Sequence, residues 1–514
     1  MSNSRIQNTT RNTFWGFLEK IILMVLPFIT RTLILKFIGE KYLGLNGLFT
    51  SIISVLNLTD LGFSSAITYT MYKPIAENDN DTLCAILNYY KKIYRIIGSV
   101  VLIIGLVLMP FLPQLIKDEI PSNINIYVLF AIYLTNTVLS YLLFAYKKSL
   151  LHAYHRDDMI TKIAVSLHLV QYGLQIFVLF AFDSYYMYVI VLPLVTLLSN
   201  IATAIITKKM YPNVVCRGKI DPQLTRMIKK QVSGAFISKV CGVTRNSLDS
   251  MFISSFLGLT QVAIYSNYAY ILNAVHNFMN VITNSMIGGV GNSVVKENLE
   301  KNYKDFTKFT FLYSWISGWF ACCMLCLYQP FMYIWTGKEL MLPFSTMTLF
   351  CIYLYVMSIN DIRNVYFIAR GLWWEGRWRY ILETVANFIL HFIGAKYFGL
   401  AGILLATILT MFLINFLYGT SILYKHYFTN AKMFKYLLRH LVYFGVTLIV
   451  CAVTYSVCSL LPSMGIINLL IKAVICTILP NLLFLLAYNK TQVFADIMPL
   501  FKNIFSSTIR KFHR

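Results

Sequence analysis

Four basic side chains lie within apolar stretches of this sequence, where charge is rare. Lys20 and Arg31 are in the first stretch, and Lys239 and Arg245 are in the seventh. A charge at membrane depth costs about 2.5–3.5 kcal/mol on insertion scales, so such groups usually face a bundle interior or a wet cavity. Because ammonium and guanidinium groups suit phosphate oxygens, these cations predict a binding site for an anionic, phosphate-bearing group. The alternative for Lys20 and Arg31 is that they snorkel towards the lipid headgroups.

Three carboxylates lie in the same kind of stretch and could exchange an ion. Asp60 is near the middle of the second stretch, beside Asn57, and is the first candidate for H+ or Na+ coupling. Burial would favour its protonated form, whereas a nearby cation would favour the carboxylate. Glu19 and Asp249 are the next candidates, although Asp249 is one helical turn after Arg245 and could form a purely structural ion pair with it.

Polar side chains recur along the eighth apolar stretch. Their spacings of three and four residues place them on one face of a helix. They are Asn273, His276, Asn277, Asn280, Thr283 and Asn284. Interhelical hydrogen bonding would account for some of them. A row of this length predicts the wet wall of a cavity, where amides would bind the hydroxyl groups of a sugar.

These residues need a membrane scaffold to position them. The 514 residues are 58% hydrophobic and have a mean hydropathy of +0.64, which is typical of a polytopic membrane protein and not of a soluble one. Runs of about 20 apolar residues joined by short turns predict an all-α protein with about 14 transmembrane helices.

Basic residues are concentrated in alternate loops and in both tails. The chain has 44 Lys and Arg against 21 Asp and Glu, a net charge of +23. This one-sided placement follows the positive-inside rule, so both termini are expected in the cytoplasm and the charge does not indicate a nucleic-acid partner.

The longest basic loop, residues 208–230, divides the chain. We expect an N-lobe of six helices over residues 1–207 and a C-lobe of six over residues 231–424, as pseudo-symmetric parallel repeats about an axis along the membrane normal. Residues 425–514 would add two further helices and an amphipathic basic tail on the inner leaflet.

Matching turns support this duplication. Phe37-Ile38-Gly39 corresponds to Phe256-Leu257-Gly258, and the same register pairs Lys20 with Lys239. A related turn recurs late in the chain and ends at Gly399. The glycines would permit sharp helix–helix turns.

Motifs for catalysis and cofactor binding are not apparent. The sequence has no Walker A loop, metal-ligand cluster or nucleophile elbow, so neither catalytic residues nor a metal or organic cofactor is predicted. Cys322, Cys323 and Cys326 have metal-like spacing, but no second pair follows them and we interpret them as small apolar side chains. Without a nucleotide site, the cycle would run on an H+ or Na+ gradient or on removal of the cargo.

Two short segments carry a family resemblance. Gly44 to Leu61 leads into Asp60-Leu61-Gly62 and Ser64-Ser65-Ala66, and Gly399-Leu400-Ala401-Gly402-Ile403 follows late in the chain. With them the sequence resembles, over essentially its whole length, the oligosaccharide repeat-unit flippases (Wzx type) of the multidrug/oligosaccharidyl-lipid/polysaccharide (MOP) exporter superfamily.

This resemblance implies a function and its partners. The cargo would be an undecaprenyl-diphosphate-type lipid-linked glycan, turned to the outer leaflet of the bacterial cytoplasmic membrane by two lobes that rock about a cationic cavity. Membrane lipids are expected partners, and polysaccharide polymerase machinery is a candidate one. The residues that the resemblance carries over are Lys20, Arg31, Asp60, Lys239 and Arg245.

Three other functions compete with this expectation. A lipid-linked cell-wall precursor flippase would share the cationic site. A multidrug antiporter of the same fold would want an acidic, aromatic cavity, whereas the candidates here carry more cations than anions. A membrane glycan polymerase would be expected to have a large outer loop with catalytic residues, and the sequence predicts only short outer turns.

Overall fold

The regular structure is helical throughout the residues that can be described. The computed structural model describes residues 2–57, 63–144, 146–154, 156–462 and 465–498. The chain divides into two compact units, Met1–Ser266 and Asn267–Arg514. The predicted all-α class is confirmed, and the predicted lobe boundaries stay predictions.

The first unit is built from long helices that pack side by side. They are α1 (Ser2–Phe37), α2 (Glu40–Leu56), α3 (Phe63–Glu77), α4 (Asn80–Leu108), α5 (Ile126–Leu142), α6 (Lys147–Ala153), α7 (Asp157–Phe182), α8 (Tyr185–Met210), α9 (Pro222–Leu257) and the start of α10 (Leu259–Lys296). Helix α1 packs along α7, α7 and α5 pack on α8, and α2 packs on α9. At the centre the Phe49 ring makes edge contacts with Phe130 and Tyr133, at centroid distances of 5.6 and 5.7 Å.

Glycines make the sharp turns of this unit, as the sequence predicts. Gly39, between α1 and α2, has φ of 113°, and Gly258, between α9 and α10, has φ of 97°; side chains rarely adopt such angles. Gly44 serves a different purpose, because a Cβ there would overlap the backbone carbonyl of Leu259. The turn at Gly258 is further held by Asp118, which accepts a 2.7 Å hydrogen bond from the Leu259 amide.

The second unit is organised around one helix. Its elements after α10 are α11 (Leu299–Thr336), α12 (Phe344–Ile359), α13 (Asp361–Ala369), α14 (Arg377–Thr410), a π-helix (Met411–Tyr418), α15 (Gly419–His426), α16 (Met433–Ser459) and α17 (Ile466–Tyr488). Helix α11 packs against α12, α16 and α17. Phe494, at the start of the predicted amphipathic tail, stacks on Trp315 of α11; residues 499–514 of that tail lie outside the described ranges.

Several predicted spans are bent or interrupted. The span predicted over residues 341–368 is α12 followed by α13, with a break at Asn360. The two spans predicted over residues 378–397 and 399–424 run through α14, which kinks at Gly399 (φ 59°), and continue through the π-helix into α15. These breaks expose backbone groups that regular helices would satisfy internally.

Apolarity and length together identify fewer spans than the sequence predicts. Within the described ranges, eight helical stretches are long and apolar enough to cross a membrane, and the bent pair α5–α6 would make a ninth. Helices α1, α9 and α10 have 36, 36 and 38 residues, which exceeds a bilayer core of about 30 Å at about 1.5 Å per residue. These three helices are not among the eight, and they carry most of the charged and polar candidates, including Lys20, Arg245 and His276.

Candidate substrate and ion sites

Arg31 lies where α1 meets the start of α10. Its Nη2 donates a 2.6 Å hydrogen bond to the Ser266 hydroxyl, which in turn donates to the Ala263 carbonyl at 3.0 Å. The Arg31 side chain is half-buried, whereas Lys20, three turns earlier on α1, is exposed and Glu19 is half-buried. The Arg31 guanidinium is therefore held by a polar contact inside the first unit. Snorkelling towards the lipid headgroups does not by itself account for its position.

The candidates on α9 differ in burial. Lys239 is exposed and Arg245 is half-buried. Asp249 is only 2% exposed and accepts a hydrogen bond from the Tyr265 hydroxyl. A buried carboxylate with a hydroxyl donor is a satisfied acceptor, so its role as an ion-coupling group or as the partner of Arg245 stays a prediction. The first-ranked coupling candidate, Asp60, lies outside the described residues.

The polar row on α10 separates into two groups. Asn273, Asn277 and Asn284 are exposed. His276 and Asn280, which belong to the second unit, are half-buried, and Nδ2 of Asn280 and Nδ1 of His276 are 3.2 Å apart. The row therefore has an open side that could contact a ligand and a side that makes internal hydrogen bonds.

His276 pairs with a carboxylate that the sequence analysis did not single out. Its Nε2 lies 3.1 Å from Oδ2 of Asp361, the first residue of α13, and the Tyr313 hydroxyl donates to the same oxygen at 2.8 Å. The His276 and Asp361 side chains are 13% and 12% exposed. Both ring nitrogens of His276 therefore have a polar partner, the Asn280 amide at Nδ1 and the Asp361 carboxylate at Nε2.

A signal for Asp361 was present in the sequence. An acidic residue directly after Asn360, within an apolar run, marks both a helix break and a buried charge. Hydrophobicity alone predicts one continuous helix through this position, which hides the break at Asn360 and the carboxylate beside it.

A second charged cluster lies deeper in this unit. Arg363 is fully buried, and Arg379 and Glu383 are 2% and 3% exposed. Asn415 of the π-helix joins them: its Oδ1 accepts from Arg363 Nη2 at 2.6 Å and from Arg379 Nη1 at 3.4 Å. Its amide donates to both carboxylate oxygens of Glu383, at 2.9 and 3.1 Å.

The cluster is enclosed by closely fitted neighbours. The Arg379 guanidinium lies 4.2 Å from the Tyr380 ring centre and 5.0 Å from that of Phe367. A Cβ at Gly419 would overlap Nη1 of Arg363. These contacts indicate that the two arginines hold α13, α14 and the π-helix together.

Comparison with known proteins gives one family and several similar structures. Residues 9–287 match the family described as polysaccharide biosynthesis protein. No curated protein sequence matches the chain.

Two solved structures illustrate the similarity of fold. A structure of the lipid II flippase MurJ, in an inward closed conformation, has a TM-score of 0.67 at 14% identity and covers 93% of this chain and 98% of that one. An inward-facing multidrug resistance MATE family transporter of the MOP superfamily has a TM-score of 0.59 at 14% identity, over 77% and 93%. At this identity the likeness shows the fold alone.

Proposed function

Because the chain belongs to the polysaccharide biosynthesis protein family, we propose that it is a flippase for polyprenyl-diphosphate-linked oligosaccharide repeat units. It moves them from the inner to the outer leaflet of the bacterial cytoplasmic membrane, with both termini in the cytoplasm. The observation that carries this proposal is a half-buried guanidinium, Arg31, positioned on Ser266 inside a membrane unit.

The diphosphate is the part of the cargo that cations recognise. Arg31 and Arg245 both belong to the first unit and are both half-buried. Guanidinium groups offer forked donors that match phosphate oxygens, and they keep their charge in low-dielectric surroundings. Lys20 and Lys239 are exposed on the same two helices and would draw the anionic headgroup in as point charges.

The glycan needs hydrogen-bonding groups rather than charge. Asn273, Asn277 and Asn284 leave their amides exposed along α10. Each amide offers donors and an acceptor to sugar hydroxyl groups. Exposed amides along one helix face can bond hydroxyl groups in many arrangements, so they would tolerate different sugars. This tolerance suits a carrier that recognises the lipid diphosphate first.

Transport needs a driving force, and we propose that protons supply it through His276 and Asp361. The contact between an imidazole nitrogen and a carboxylate oxygen joins α10 to α13, and the Tyr313 hydroxyl holds Asp361 in place. Movement of a proton into or out of this contact would alter the hydrogen bond between the two helices, which links an ion to a helix contact.

The test is flipping of a lipid-linked oligosaccharide in reconstituted vesicles. We expect Arg245→Ala and Arg31→Ala to abolish flipping, and Arg245→Lys to restore it only in part, because a fork-shaped donor suits a diphosphate. Lys396→Ala, at an exposed cation outside these helices, serves as the matched control.

The outcomes separate the competing functions. If Arg245→Ala and Arg31→Ala flip the cargo at the wild-type rate, at equal protein level, then neither arginine binds the lipid headgroup. A lipid-linked cell-wall precursor is assayed in parallel, and faster flipping of that cargo would assign the protein to precursor export. Movement of cationic drugs without lipid-linked cargo would favour the antiporter.

A further inference from the structure

Three buried thiols meet in the second unit. They belong to Cys326 of α11, Cys458 of α16 and Cys476 of α17, which are 4%, 2% and 0% exposed. Their sulfur atoms all lie within 4.8 Å of one another, and Sγ of Cys458 and Sγ of Cys476 are 3.8 Å apart. Cys458 and Cys476 are 18 residues apart, whereas Cys326 precedes both by more than a hundred residues, so the cluster is a product of folding that local spacing does not reveal.

We propose that Cys326, Cys458 and Cys476 together bind one soft, monovalent metal ion of the Cu(I) class. Metal–sulfur bonds to thiolates are about 2.3 Å long, so three sulfur atoms in trigonal planar coordination are about 4.0 Å apart from one another. The separations of 3.8 Å and at most 4.8 Å are already close to this. Side-chain adjustments of less than about 1 Å complete the coordination, within the spread of rotamers that helices tolerate.

The ligand set selects the type of ion. Structural zinc takes four ligands, usually with tetrahedral geometry, whereas three converging thiols suit a soft ion that accepts three-coordination. Cys323, Leu327 and Ile475 pack beside the three thiols, and the Cys323 thiol donates to the Cys476 backbone carbonyl at 3.6 Å. Hard ions such as Mg2+ and Ca2+ require oxygen ligands, which this cluster of thiols does not offer.

The charges balance with a neighbouring lysine. Lys472, one helical turn before Cys476 on α17, is itself buried, at 5% exposure. Binding through two thiolates and one neutral thiol releases two protons to solvent and leaves the site with one negative charge. The Lys472 ammonium offsets that charge, which lowers the cost of holding the complex at membrane depth.

The ion would act as a cross-link between helices. Helices α16 and α17 are the two that the sequence analysis places outside the repeated lobes, and the site joins both to α11. An ion that binds only the folded state stabilises a protein. Metal bound at this site should therefore raise the resistance of the protein to unfolding, as well as being detectable by direct metal measurement.

The experiment uses the full-length protein, purified in detergent and kept reduced under anaerobic conditions. Cu(I) is titrated in competition with a colorimetric Cu(I) chelator, and sulfur coordination is read by X-ray absorption at the copper edge. We expect roughly one tight equivalent with three sulfurs at about 2.3 Å. Cys326→Ser, Cys458→Ser and Cys476→Ser should each weaken binding by at least about 100-fold, since even outer-shell changes cost 10–100-fold.

Cys84→Ser is the matched control, because Cys84 is also buried but lies in the first unit. Equal Cu(I) affinity in the control and the three cluster variants would overturn the proposal, as would coordination by fewer than three sulfurs. A Cys458–Cys476 disulfide in protein isolated without oxidant would also overturn it, in favour of a redox pair.

A second measurement applies if the serine variants do not fold. Wild-type protein is treated with a small membrane-permeant alkylating reagent, with and without Cu(I), during mild thermal opening. Protection of Cys326, Cys458 and Cys476 by Cu(I), with Cys84 unprotected, is the expected result. Equal alkylation of all four thiols with and without Cu(I) would contradict the site.

Discussion

Nη2 of Arg363 lies 2.6 Å from Oδ1 of Asn415, so a fully buried guanidinium on α13 is bonded to the middle of the π-helix. The same arginine also donates to the backbone carbonyl of Asn415. A π-helix leaves carbonyl groups off the regular hydrogen-bond pattern, and burial without a partner is costly. Arg363 thus bonds both the side chain and the backbone carbonyl of the same π-helix residue.

Loss of this arginine should destabilise the second unit. We expect Arg363→Met, which keeps length without charge, to cost about 3–5 kcal/mol, because it leaves the Asn415 carbonyl and part of the Glu383 charge uncompensated. Thermal unfolding in detergent measures the effect. Arg377→Met, at an arginine that contacts the exposed Trp374 ring, should change stability little. Equal melting of the two variants would mean that the bonds to Asn415 contribute nothing net.

Removal of the charge at Asp361 should uncouple transport from the proton gradient. Asp361→Asn keeps the shape of the side chain and its contact with Tyr313, but it can no longer share a proton with His276. We expect flipping in vesicles to proceed at the same rate with and without an imposed pH difference, whereas the wild type responds to it. Glu339→Gln, at an exposed carboxylate, should respond like the wild type. A gradient response that survives in Asp361→Asn would exclude this pair and return attention to Asp60.

A methyl group at Gly44 should separate two helices of the first unit. The added Cβ would overlap the Leu259 backbone, and overpacking of this kind costs about 1–3 kcal/mol. Gly173→Ala is the control, since nothing lies within 4 Å of its Cβ, and it should be neutral or stabilising by up to about 1 kcal/mol in a helix. The unfolding midpoint of Gly44→Ala should therefore fall, whereas that of Gly173→Ala should stay unchanged or rise. An unchanged midpoint for Gly44→Ala would show that α2 and α10 can move apart freely.

The predicted orientation can be checked by labelling. A Lys219→Cys change in the 208–230 loop, combined with Cys216→Ser, places a thiol at an exposed position. The positive-inside rule expects it to be shielded from an impermeant maleimide added to intact cells and labelled after permeabilisation. Lys338→Cys lies in the short turn between α11 and α12, which the same rule expects on the outer side, and should be labelled in intact cells. The reverse pattern would invert the topology.

Local patterns in the sequence were sufficient for much of the fold. The all-α class and the turns at Gly39 and Gly258 are confirmed, because hydrophobic runs and glycine backbone freedom act over a few residues. The resemblance to the oligosaccharide flippases is confirmed by the family match over residues 9–287.

Contacts between distant residues could not be foreseen in the same way. The pairing of His276 with Asp361, and of Arg363 with Asn415, joins residues 85 and 52 positions apart. Such pairs depend on how helices pack, and one sequence contains no record of that. The face of α10 was predicted as a single row, but burial divides it, because periodicity gives direction around a helix and not the identity of its neighbours.

The π-helix at Met411–Tyr418 also has an evolutionary meaning. A π-turn accommodates one additional residue while the helical segments on both sides keep their phase. A relative lacking one residue here could therefore retain the contacts of α14 and α15, and an alignment would show only a single-position gap. What such a relative would lose is the placement of Asn415 against Arg363, so a gap in this segment should coincide with replacement of that arginine.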